Sequence, residues 1–231
     1  MQQPFSTLLA LKVGAVQTTP LPDSNRNTMV SAIIKQPVQS ATVSTLGLNG
    51  DEHGDPAHHG GIYKAVFMLG TKTYAAINAL CGETFDPLLA TQFGENMVFS
   101  NIGEEDICVG DILRVGQVRL CVTQPRQPCW KLSASTHIAT MTQTIYRHGH
   151  TGWYAKVLHE GHVHVNDPII LEERPFAHLT IRTLNQSLLE PKTHQALIQE
   201  ALTCDDLGPS FKNALAKKAG GEVVDLSYQT F

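Results

Sequence analysis

At 231 residues, with 42% hydrophobic and 16% charged side chains, the chain has the composition of a folded protein with a sizeable core, as one large domain or a domain with an appendage. A net charge of −4 and a pI near 6.2 argue against a nucleic-acid or membrane-surface protein, so any positive site must be a local pocket on an acidic background. Five cysteines at irregular spacing, with no CxxC pair, make neither a disulfide framework nor a structural zinc site, and point to a reducing cytoplasm.

Met1–Ala10 lacks a cationic start followed by a long apolar run, so no secretory leader is expected, and no window is long enough for an apolar membrane span. From Leu8 to about Leu171, short strands alternate with glycine- and proline-rich turns. The predicted strands are Leu8–Val16, Ala41–Thr45, Ala65–Gly70, Asn96–Phe99, Ile112–Val115, Val118–Thr123 and Ile169–Leu171. Gly110-Asp111 and Gly116-Gln117 flank Ile112–Val115 and predict a hairpin. Helical spacing is predicted over Thr71–Cys81, where Tyr74, Ile77 and Leu80 are apolar and Gly82 is the stop. A shorter helical turn is predicted at Phe85–Thr91. A further helix is predicted over Thr151–His159, where Trp153, Val157 and Leu158 share a face before Gly161. After Arg174-Pro175 the pattern changes to three helices, His178–Leu189, Thr193–Ala201 and Pro209–Ala219. The whole is a mixed α+β, mainly β chain: a barrel-like domain over residues 1–174 and a small three-helix domain over 175–231.

Two segments carry the chemistry. In Gln124-Pro125-Arg126-Gln127-Pro128-Cys129-Trp130-Lys131, two prolines fix the backbone and end the preceding strand, so Cys129 is held in a stiff loop. Arg126 and Lys131 beside it favour the thiolate, the form that attacks electrophiles or ligates soft metals. The other segment runs from Gly47 to Gly61. Its glycines let backbone N–H groups converge on an anion, with Lys64 adding a positive charge. It is neither a Walker loop nor a dinucleotide fingerprint, and it also reads as a histidine-rich surface loop. His53, His58 and His59 with Asp51, Glu52 and Asp55 offer a divalent-metal alternative, although the helical spacing of known histidine motifs is missing. His162 and His164 alternate as on a solvated strand face. Asn96, after Gly94, is suited either to a heterocycle edge or to bracing a turn. Cys81, Cys108, Cys121 and Cys204 sit in apolar contexts as inert core residues. No serine nucleophile elbow is present.

The order of these segments resembles the MOSC family, the molybdenum-cofactor sulfurase C-terminal domain proteins, and within it the YiiM type associated with resistance to 6-N-hydroxylaminopurine. The resemblance rests on Ser31-Ala32-Ile33-Ile34-Lys35-Gln36-Pro37-Val38, Gly47 to Asp51 and His59-Gly60-Gly61. It continues in Phe93-Gly94-Glu95-Asn96, in Gln124-Pro125-Arg126 with Cys129 and Lys131, and in Thr151-Gly152-Trp153-Tyr154. It implies a MOSC β-barrel-like core, a C-terminal three-helix extension and a bound molybdenum-pterin cofactor. Cys129 matches the expected molybdenum ligand. Lys35, Lys64, Arg126 and Lys131 would complement anionic groups, and Asn96, His59, Gly60 and Gly61 would serve the pterin side. The chain departs from the family at Lys64, where arginine is more usual, and at Asn166-Asp167 in place of a Gly-Asp turn.

The implied reaction is reduction of N-hydroxylated bases or related small molecules to amines. His59 is the expected proton source, because an ordinary histidine titrates near neutral pH. No flavin, nicotinamide, pyridoxal-phosphate or iron–sulfur signature is present, so a separate reductase is expected as electron donor. The alternatives are a non-enzymatic carrier or store of the cofactor, and a cysteine-dependent hydrolase or transferase that works without molybdenum. A homodimer is among the assemblies the sequence allows.

Overall fold

The computed structural model describes residues 3–22, 26–55 and 59–222. The first strands are β1 Ser6–Val13, β2 Gln17–Pro20 and β3 Thr28–Ser31, followed by β4 Gln36–Val38, β5 Ser40–Ser44 and the two-residue β6 Gly47–Leu48. A single 3-10 turn, Ile62–Lys64, precedes β7 Val66–Gly70, which runs directly into helix α1 Thr71–Cys81. β8 Met97–Phe99, β9 Ile112–Val115 and β10 Val118–Pro125 come next, then two short helices, α2 Lys131–Thr136 and α3 Met141–His148. β11 Trp153–His159, β12 Gly161–His164 and β13 Pro168–Glu173 complete the strands. Helices α4 Ile181–Leu189, α5 Gln195–Thr203 and α6 Pro209–Ala219 follow.

Seven strands close into a barrel in the order β13-β9-β10-β11-β7-β8-β1, with β1 pairing back to β13. Closure removes the exposed edges an open sheet would present. All pairs are antiparallel except β7 and β8, which are parallel and are joined by the crossover through α1. β12, β5 and β6 form a small second sheet, and β2 and β3 a two-stranded ribbon. The β9–β10 hairpin turns at Gly116-Gln117 as its dipeptide predicts, with Val115 opposite Val118.

Side-chain alternation sorts the core into two clusters. Val66 and Met68 of β7, with Leu120 and Val122 of β10, fill the barrel interior. That interior is continuous with Leu184, Ile198, Leu207, Phe211 and Leu215 of the C-terminal helical segment, so the helices of residues 175–222 pack on the barrel through one shared core. The intervening Phe67 and Leu69 face outward, where they join Tyr74 and Ile77 of α1, Leu132 of α2 and Met141 of α3 in a second cluster.

Three sequence expectations are corrected. Thr151–His159 is not a helix: Trp153, Ala155 and Val157 alternate inward and Leu158 is exposed, and the segment pairs with β10 and β7 as strand β11. Its i, i+4 apolar pair also satisfies a period of two, so neighbouring strands decided the outcome. Phe85–Thr91 is a loop, fixed by the Asn78 side chain, which accepts from the Phe85 N–H and donates to its carbonyl. β10 also extends past Thr123 to Pro125, which pairs with Trp153 as the strand's last residue, where a missing N–H costs least.

Candidate functional site

The pocket lies against the second cluster as a cleft open to solvent, about 580 Å³ with its mouth included. Each wall arrives by a different route. The β3–β4 connection supplies Ile33 and Lys35, the segment after β6 supplies His53, Asp55 and His59, and the 3-10 turn supplies Lys64. Phe67 comes from β7, Asn96 from the entry to β8, and Tyr154 from β11. Arg126, Cys129 and Lys131 come from the end of β10 and the start of α2. The structure therefore brings seven of the residues singled out in the sequence into one cavity: Lys35, His59, Lys64, Asn96, Arg126, Cys129 and Lys131. Gly60 and Gly61 lie outside its lining. Gly61 sits at φ 91 as the cap of the turn that delivers Lys64.

Arg126 is the most informative of these side chains. It is only 8% exposed, its guanidinium lies 5.2 Å from the Phe67 ring centroid, and no carboxylate among the described residues pairs with it. A buried cation without a counter-ion is costly, and an anionic ligand in the pocket relieves that cost. Its backbone is fixed from behind, where the Arg126 N–H donates to the Gly152 carbonyl at 3.1 Å. Gly152 has φ +70, and a Cβ there would meet the Met68 carbonyl oxygen at 2.5 Å, which accounts for the glycine of the Thr151–Tyr154 motif.

Cys129 is half-buried with its Sγ 3.8 Å from His59 Nε2. Its carbonyl accepts from the Leu132 N–H and the Thr142 hydroxyl, both at 3.0 Å, so the start of α2 and α3 orient it. The His59 pKa is lowered to about 4, first by burial and then by Arg126, Lys131 and Lys64, against an opposing effect of Asp55. His59 is therefore neutral near pH 7. Burial first, and then the cations gathered in the pocket, hold unprotonated the imidazole expected from the sequence to be a proton source.

Other side chains in the pocket are committed to the protein. Lys35 Nζ lies 2.5 Å from both carboxylate oxygens of Asp51, and burial outweighs that partner in lowering the Lys35 pKa. Asp51 also accepts from the Gly14 N–H at 2.9 Å and from Asn96 Nδ2 at 2.8 Å. Asn96 donates to the Lys12 carbonyl as well and accepts from the Phe67 N–H. Its amide thus ties β1, β7 and the Asp51 segment together, matching neither a turn brace nor a contact spent only on a ligand. Glu95 of the same motif is wholly buried, 2.6 Å from Lys12 Nζ and 2.6 Å from the Tyr74 hydroxyl, with Thr91 donating to its other oxygen. Lys131 donates to the Val30 carbonyl at 2.8 Å.

Within the glycine-rich loop, the N–H groups of Asp51, Glu52 and His59 are spent on the carbonyls of Leu48, Gly14 and Asp55. No group of three metal-binding side chains occurs among the described residues, so the histidine–carboxylate alternative finds no support there; His58 lies outside them. Trp130, next to Cys129, lies under the Arg26 guanidinium at 4.6 Å and outside the pocket lining. Of the aromatic walls, Phe67 escaped sequence reasoning, while Phe93 and Tyr154 were named within motifs without a role as pocket walls. The alternation of β7, which turns Phe67 outward between Val66 and Met68, is the signal that could have found it.

Because the folded pKa of His59 lies below its ordinary 6.5, the unfolded chain takes up the proton first as pH falls. The stabilisation is fully present above about 6.5 and is lost as pH drops toward 4, at most roughly 3 kcal/mol. Urea unfolding across that window is expected to show a steeper loss of stability in the wild type than in His59→Gln. Equal slopes would show that the imidazole is not held neutral.

Residues 55–170 match the model of the MOSC domain. The chain belongs to the MOSC family. YflK, an uncharacterized protein of Bacillus subtilis, is 29% identical over 219 residues, covering 94% of this chain and 96% of YflK. YiiM of Escherichia coli is 33% identical over 145 residues, covering 62% of this chain and 65% of YiiM. A protein of Gibberella moniliformis named Reductase is 35% identical over 150 residues, 64% of this chain but 27% of that protein. Among solved structures, YiiM from Geobacillus stearothermophilus aligns over 91% of this chain and 97% of its own at 24% identity, with a TM-score of 0.73. YiiM from Escherichia coli aligns over 97% and 98% at 22% identity, with a TM-score of 0.75. The expected kinship with the YiiM type is met in sequence and in fold. MOSC domains generally bind the molybdenum cofactor.

Proposed function

We propose that this pocket holds the molybdenum cofactor and uses it to reduce N-hydroxylated compounds, such as 6-N-hydroxylaminopurine, to amines. The supporting observation is that a half-buried thiol, Cys129, and a buried guanidinium without a carboxylate partner among the described residues, Arg126, face one cavity. The donor set suits the group. A single soft thiolate leaves the other metal positions to pterin sulfurs and oxygen, and Arg126, Lys64 and Lys131 complement its negative charge. When bound, the cofactor supplies two-electron redox chemistry that none of these side chains has.

The reaction R–NHOH + 2e⁻ + 2H⁺ → R–NH₂ + H₂O breaks the N–O bond and consumes two protons. His59, neutral beside Cys129, orients by hydrogen bonding and does not begin as an acid. Phe67, Phe93 and Tyr154 give the cavity an aromatic wall. The electrons come from a separate reductase. The name of the fungal relative supports a redox role, and five free cysteines support a reducing, cytoplasmic setting. Among the described residues no helix is long and apolar enough to cross a membrane.

Metal analysis and pterin fluorescence on the purified protein, followed by turnover of 6-N-hydroxylaminopurine with a chemical reductant, test this function. Molybdenum and pterin with reductant-driven amine formation are expected. Cofactor without turnover would instead identify a carrier. Turnover of an ester or thioester without molybdenum would identify a cysteine-dependent transferase or hydrolase.

A further inference from the structure

The C-terminal helices contribute no residue to the pocket, yet two of their polar contacts end on the segments that carry it. Asn185 of α4 is 7% exposed, and its amide nitrogen donates away from its own helix, to the Gly149 carbonyl at 3.1 Å and to Thr151 Oγ1 at 2.9 Å. One turn earlier, Arg182 Nη1 donates to the His148 carbonyl at 2.9 Å. The same helix therefore grips the α3–β11 connection at three successive points. That connection leads into Gly152, whose carbonyl receives the Arg126 N–H and whose own N–H donates to the buried Glu104 carboxylate at 2.8 Å. The Thr151 hydroxyl donates to the Gly152 carbonyl at 3.0 Å, linking Asn185 to the acceptor of Arg126 in two steps.

A second grip reaches the same strand end from the start of α6. The Gly208 N–H donates to the Thr123 carbonyl at 3.1 Å, and Ser210 Oγ donates to Gln124 Oε1 at 3.2 Å. Gly208 is packed so closely that a Cβ there would lie 2.0 Å from Gln124 Oε1. Thr123 and Gln124 feed directly into Pro125 and Arg126. A buried amide with both donors spent on a distant loop is costly unless those bonds are made, so each contact selects one placement of that loop.

We propose that Asn185 is a positioning residue: through Thr151 and Gly152 it sets the backbone from which Arg126 reaches the pocket, so that the C-terminal helices control anion affinity without touching the ligand. This rests on Arg126 being an anion contact, as argued above. The test uses the full apo chain, with inorganic pyrophosphate as the probe, in titration calorimetry alongside thermal unfolding. Asn185→Ala and Thr151→Val are each expected to weaken pyrophosphate binding about tenfold. Thr151→Ser keeps the hydroxyl and should bind as the wild type does. Val163→Ala, a buried site outside the pocket, serves as a control that lowers the melting temperature and leaves affinity unchanged. If Arg126→Ala abolishes binding while Asn185→Ala and Thr151→Val bind normally, the positioning role is wrong and the anion site stands. If Arg126→Ala binds pyrophosphate as tightly as the wild type, both fall. If Val163→Ala weakens binding as much as Asn185→Ala does at equal loss of melting temperature, the effect is general destabilisation and positioning is again rejected.

Discussion

Cys129→Ser is expected to lose molybdenum and turnover together. Among the described residues the thiol is the one soft donor in the pocket, and a serine oxygen is too hard and too weakly acidic to replace a thiolate. The substitution should leave the fold intact, because the Cys129 carbonyl, not its side chain, anchors α2 and α3. Cys204→Ala provides the contrast. Cys204 is 3% exposed in the core beneath the C-terminal helices, and burial is the main cause that raises its pKa, more than the charge of neighbouring Asp206. Metal analysis should find molybdenum unchanged in Cys204→Ala and absent in Cys129→Ser. The reverse pattern would move the site to the other end of the chain.

Arg126→Ala is expected to weaken cofactor retention about 10–100-fold, the range for loss of charge-assisted hydrogen bonds from a desolvated donor. Lys217→Ala, which removes an equal charge from an exposed position on α6, should change retention little, because solvent and salt screen it. Arg126→Lys should recover only part of the loss, since an ammonium keeps the charge but not the planar fork or its stacking on Phe67. Retention can be read as pterin released during dialysis. Equal release from Arg126→Ala and Lys217→Ala would mean that Arg126 serves the fold and not the ligand.

Local signals were enough for the mainly β character, the β9–β10 hairpin and the helix over Pro209–Ala219, because turn glycines, alternation and a proline at the first helical position act within a few residues. It also marked Cys129 and Arg126, since two prolines and two cations around one thiol form a local pattern. Tertiary structure decided the rest. Whether Trp153, Ala155 and Val157 became helix or strand depended on β7 and β10 lying on either side. Which of the pocket's cations keeps its charge free of a carboxylate depended on distant partners: Asp51 lies at Lys35, whereas none among the described residues stands at Arg126. The neutrality of His59 came first from its burial and then from three cations, and only folding supplies either. Periodicity and turn chemistry are properties of neighbours in the chain, whereas desolvation and charge pairing are properties of neighbours in space, and the chemistry of this site rests on the second kind.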